Sequence, residues 1–142
     1  MLKHLVAVGC LLASTFVSNV GQAGQDEAKI SIATIAEPPV EAGIDRLALR
    51  AAAEEAMKDL DLTDVRRPVS VAVAIVSAGN APTANCVISI AVQDKKKGTI
   101  LGSVAGTASG NPSSHGDQRA SVARTAVANA MSRVPDVVIA SN

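Results

Sequence analysis

Ser113, Ser114, His115, Asp117 and Arg119 bring a hydroxyl, an imidazole, a carboxylate and a guanidinium within seven residues. A Ser-His-Asp triad is defined by geometry and draws its members from separated segments. Neighbours on one turn cannot align as nucleophile, base and orienter. The segment better suits a helix start, in which Ser114 and Asp117 form a capping box with Asp in place of Glu or Gln. The alternative is an anion site at that helix N-terminus, held by Ser113, Ser114, His115 and Arg119. A phosphate loop needs G-x-x-x-x-G-K-[ST]; Gly110 and Gly116 are spaced differently and no Lys follows.

Lys95, Lys96 and Lys97 put three charges at one loop tip. They fit a solvated turn, or a contact with an anionic envelope surface. His115 and Cys86 have no partners at metal-ligand spacing, so no metal is expected. No nucleophile is paired with a base, so no enzyme and no cofactor are expected either. Cys86 falls on the apolar side of an alternating segment, which predicts a buried thiol; the alternative is a reactive or dimer-forming one.

The order of segments along the chain sets the frame for these groups. Met1 to His4 is short and basic, Leu5 to Ala13 is apolar, and Gly21 and Ala23 put small residues at −3 and −1 of a cut. This is the pattern of a secretory signal over residues 1–23, followed by one small domain over 24–142 with an ordered core of about 29–140. The apolar run is short of the ~20 residues that span a bilayer, so no transmembrane span is expected in the mature chain. A lipid-attachment box at Ala7 to Cys10 would leave almost no apolar region before its cysteine.

Past residue 23 acidic and basic residues nearly balance, and no Phe, Tyr or Trp remains, because the only aromatic is Phe16. Neutral charge removes long-range attraction to nucleic acid, and the missing aromatics remove base stacking. No nucleic-acid partner is expected. Ile, Leu and Val exceed the ~20% below which disorder is expected, so the chain folds. Its core must be aliphatic and alanine-rich, and the expected stability is modest.

Strands are predicted over Ile30–Ala36, Val69–Ser77, Asn85–Gln93 and Thr99–Ala108, each from alternation. Helices are predicted over Ile44–Leu60 and Asp117–Val134 from stripes at helical spacing, the second ended by Pro135. Arg50, Glu54 and Lys58 support the first as i, i+4 pairs. Val137–Ile139 reads as a short terminal strand. The order β-α-β-β-β-α predicts an α+β sandwich: a mainly antiparallel sheet with two helices packed on one face.

Gly98, Gly102, Gly106 and Gly110 recur every four residues. On a strand, Gly102 and Gly106 share a face and leave a trough that an alanine-rich helix can enter. A membrane glycine zipper is the other reading, but Thr99, Ser103, Thr107 and Ser109 interrupt a short stretch.

The segment VISIAVQDKKKGTILGSVAG, residues 87–106, is a strand, a D-x-x-x-G turn and a returning strand. It resembles the small exported envelope modules of the TolB N-terminal domain and the CsgG and LpoB-type domains. The resemblance implies an envelope scaffold or interaction role with an envelope protein partner, and carries over no functional residue. The chain departs from the lipoprotein members by lacking a clear lipobox cysteine. The expected function is a non-enzymatic exported interaction module, periplasmic or secreted. The alternative is a small-ligand or anion binder using the 110–119 loop. The sequence leaves the oligomeric state open.

Overall fold

The structure is a computed structural model that describes residues 29–112 and 116–141. Residues 1–28, on which the expected signal segment falls, and Ser113, Ser114, His115 and Asn142 lie outside the described residues. Four strands form one sheet in the order β1-β2-β3-β4: β1 Ile30–Ile35, β2 Val69–Gly79, β3 Asn85–Asp94 and β4 Ile100–Ser109. β1 and β2 run parallel, which requires the crossover that α1, Arg46–Lys58, supplies. The β2–β3 and β3–β4 pairs are antiparallel.

Local sequence explains these boundaries. α1 starts where the Asp45 carboxylate accepts the Ala48 amide at 2.7 Å. Arg50 pairs with Glu54 at 3.8 Å as its spacing predicts, whereas Lys58 pairs with Glu55 at 3.3 Å instead. The β3–β4 turn closes through Gly98, whose φ of 74° needs no Cβ, and its amide donates to the Asp94 carbonyl at 2.8 Å.

The strict alternation of β3 turns Cys86, Ile88, Ile90 and Val92 to one face, all buried. Val69, Val71 and Val73 lie beside them on β2. The helices cover this face. α2, Arg119–Met131, buries Val122, Ala123, Ala126, Val127, Ala130 and Met131 against it. The expected sandwich, with helices on one face of a mainly antiparallel sheet, is the observed architecture.

Gly106 pairs with Ile88, so it faces the same helices. A Cβ built on Gly106 would stand 2.5 Å from the Ala130 amide nitrogen and 2.8 Å from its Cβ, and would also overlap the Ala126 carbonyl oxygen. The trough is therefore filled by helix backbone, as the alanine stripe predicts. At Gly102 a Cβ would come 2.9 Å from Cγ1 of Val137.

The chain end differs from expectation. Val137–Ile139 is not a strand, and Pro135 opens a helix rather than ending one. α2 stops at Met131, and α3 spans Val134–Ala140 with Pro135 in its first turn. There the missing amide hydrogen costs nothing, because first-turn amides have no helical partner. Val134, Pro135 and Val138 are buried while Asp136 between them is exposed, an i, i+1, i+4 pattern that a helix serves and an alternating strand does not.

Cys86 is 2% exposed, and burial pushes its thiol pKa upward. A thiol reagent should leave Cys86 unlabelled in the native protein and modify it promptly in denaturant. Fast native labelling would contradict its placement.

Candidate functional site

The hairpin carrying Lys95, Lys96 and Lys97 is built around a residue that sequence inspection passed over. Asp94 is buried, and its Oδ1 accepts the amides of Lys96 at 2.8 Å and Lys97 at 2.9 Å. Its Oδ2 accepts from Arg67 Nη1 at 3.4 Å, and Arg67 Nη2 donates to the Ser141 carbonyl at 3.1 Å. One carboxylate thus holds the turn and ties it, through Arg67, to the chain end. The three lysines project from this rigid tip and are exposed.

At the start of α2 the flagged residues are paired with one another. Arg119 Nε and Nη2 donate to the two oxygens of Asp117 at 3.0 and 2.9 Å, and its amide donates to Oδ1 at 3.0 Å. Arg119 also packs over Gly43, where a Cβ would stand 2.7 Å from the Arg119 Cβ. An anion reaching this helix start would compete with the Asp117 carboxylate for the guanidinium. Gln118, also passed over, closes the loop: its Oε1 accepts the Asn111 amide at 2.7 Å and its Nε2 donates to the Asn111 carbonyl at 2.9 Å. The helix begins at Arg119, two residues later than its stripe predicts.

These contacts set an acid response. Hydrogen bonds from the Arg119 side chain and amide hold Asp117 down at about 2. The Lys97 amide, with the Lys96 amide and Arg67, holds Asp94 below its ordinary value despite its burial. A carboxylate with a depressed folded pKa binds fewer protons folded than unfolded, so it stabilises above the unfolded value of ~3.9 and loses that contribution as pH falls. The urea midpoint should hold near neutral pH and drop as pH falls from about 4 toward 2. Asp94→Asn should lower the midpoint at pH 7 and flatten part of that acid slope. A midpoint that rises on acidification would contradict these pairings.

Two surfaces remain. Between α1 and α2 lies an open groove of about 470 Å³, lined by Ala48, Ala51, Ala52 and Ala56 on one side and Ala128 and Arg124 on the other, with Glu55 and Asp59 at its rim. The second surface is the sheet face turned away from the helices. It presents Ser70, Ala72 and Ala74 of β2, Ser89 and Ala91 of β3, and Ser103 and Ala105 of β4, all half-buried or exposed. Across all four strands Asp94 is the single charged residue, and it is buried. No described element covers this face.

The sheet edges are treated differently. On β4, the carbonyl of Thr107 accepts from Asn129 Nδ2 at 2.9 Å and that of Ala105 from Arg133 Nη1 at 3.2 Å. Beside β1, the other edge strand, stand Arg46 and Arg50, which share a cleft with Ala33, Thr34 and Ile35. Capped carbonyls and nearby cations discourage pairing with another strand.

No family model and no curated protein matches this chain. Solved structures do. PelC from Paraburkholderia phytofirmans, a dodecamer in two crystal forms, aligns at TM-scores of 0.54 and 0.50 with 16% identity, over 75% of this chain and 86% of PelC. The fold is similar to that of PelC. A Xanthomonas campestris protein of the DUF330 family aligns at 0.46 with 14% identity, over 78% of this chain and 81% of that one. At such identity the PelC match speaks for the fold alone. The resemblance of the hairpin to TolB, CsgG and LpoB-type modules holds as a small α+β fold; these structures belong to other families. Among the described residues no helix is long and apolar enough to cross a membrane.

Proposed function

We propose that this chain is a non-enzymatic interaction module, exported by its leader to the periplasm or the medium, that contacts protein through its open sheet face. The observation that carries this reading is the absence of charge from that face. An antiparallel sheet with one solvated side ordinarily alternates hydrophobic residues inward with polar residues outward. Here the outward positions are mostly Ala, Ser, Val and Thr, with Asn85, Gln93 and Ile100 toward the strand ends and no charge among them, which leaves a surface cheap to desolvate. The PelC chains, which share the fold, assemble as dodecamers, and an assembling role for this chain is consistent with that.

The full chain, tagged at its C-terminus and expressed in a bacterial host, tests the proposal. Its mature species should begin near Gly24, carry no lipid by intact mass, and run on native gels as an assembly. Ser103→Lys, on the open face, should release single copies that remain folded. A diacylated species starting at Cys10 would overturn the export route. A single copy on native gels without any substitution would overturn the interaction role.

A further inference from the structure

We infer that the partner on the open sheet face is a second copy of this chain, seated back to back about a twofold axis; this rests on the face being a contact surface, as proposed above. Three observations lead there. The first is electrostatic. A twofold contact sets each surface against itself, so any charge near the axis meets its own like charge. A face without charge is free of that penalty. It also offers nothing with which to select a charged partner.

The second is area. Strands ~4.8 Å apart with ~3.3 Å per residue give this sheet a face of roughly 600 Å². Two copies would bury roughly 1,200 Å², inside the range of specific interfaces. The Ala and Ser side chains let two such sheets settle at or within the usual ~10 Å spacing.

The third is the treatment of the edges. Asn129 and Arg133 occupy carbonyls along β4, and Arg46 and Arg50 flank β1. Growth of the sheet by strand addition is thereby disfavoured, while nothing described guards the face. The groove between α1 and α2 has the opposite character: Glu55, Asp59 and Arg124 line it, and a contact there would have to desolvate these charges.

Sedimentation velocity of the purified exported chain tests this. The unsubstituted protein should sediment with at least twice the mass of one chain at roughly 100 µM, above the micromolar Kd of weak interfaces this size. Ala91→Arg, and separately Ser89→Lys, should each halve that mass without loss of far-UV circular dichroism. Glu54→Arg, on the exposed side of α1, should leave it unchanged. A dimer that survives both face substitutions would overturn the inference. So would a purified single copy. If that single copy still forms a native-gel assembly when expressed in cells, the contact surface stands and its partner is another protein. If it is single in both settings, the interaction role fails as well.

Discussion

Gly106→Val should lower the urea midpoint sharply, by far more than its place on a strand would suggest. Valine has the higher strand propensity, worth up to ~1 kcal/mol in its favour. Packing decides the sign. The new Cβ would stand 2.5 Å from the Ala130 amide and overlap the Ala126 carbonyl, and both are helix backbone. Backbone cannot rotate aside as a side-chain tip can, so α2 must lift from the sheet or the strand must bend. The expected cost is at or above the upper end of the ~1–3 kcal/mol typical of overpacking. That is a large part of the ~5–15 kcal/mol holding a domain together. Gly102→Ala makes the matching control, because its Cβ would meet only a methyl of Val137. Its loss should be clearly smaller. Far-UV circular dichroism follows both, since the chain has no Trp or Tyr. A higher midpoint for Gly106→Val with an unchanged slope would mean that no helix sits on the trough.

Leu49→Ala should be the most damaging truncation on the other side of the core. α1 buries only Leu49 and Ala53 completely, so one side chain supplies most of its fully buried apolar surface. Removing a buried leucine costs ~2–5 kcal/mol, depending on how far the site collapses. The core is built of aliphatic side chains with Met131 and Cys86, and among the described residues no aromatic ring is present to swing into the void. Leu47, two residues away, is 78% exposed, and Leu47→Ala should shift stability by no more than ~0.5 kcal/mol. Equal effects for the two leucines, by urea unfolding, would show that α1 is rotated from its described position.

Sequence patterning revealed the elements that carry these predictions, and failed where a signal had two meanings. β3 was legible because Cys86, Ile88, Ile90 and Val92 alternate without a break. The glycine trough was legible because Gly102 and Gly106 share strand parity while α2 carries alanines at helical spacing. α3 was not. Pro135 reads as a stop, but within a first turn it serves as a start, and the β-branched Val137, Val138 and Ile139 then suggest a strand. Asp94 was hidden because its role depends on Arg67, 27 residues earlier, which no local pattern links to it. The β2 irregularity between Ile75 and Ser77, which leaves Val76 65% exposed, has no local sequence marker either. Of the candidate site residues, Arg119 and the three lysines are placed, while Ser113, Ser114 and His115 lie outside the described residues. The open face escaped notice for a different reason. Its signal is charge missing from the outward positions of every strand, and it emerges only once the strands are aligned into a sheet.

A photo-crosslinking amino acid placed at Ala91, compared with the same group at Glu54, tests most directly whether the open sheet face is the contact surface. Both positions are accessible enough to carry it, one on the sheet face and one on the helix side. In cells exporting the full chain, illumination should give a covalent protein–protein adduct from position 91 and none from position 54. Adducts from position 54 alone would place the contact on the helices and contradict the account.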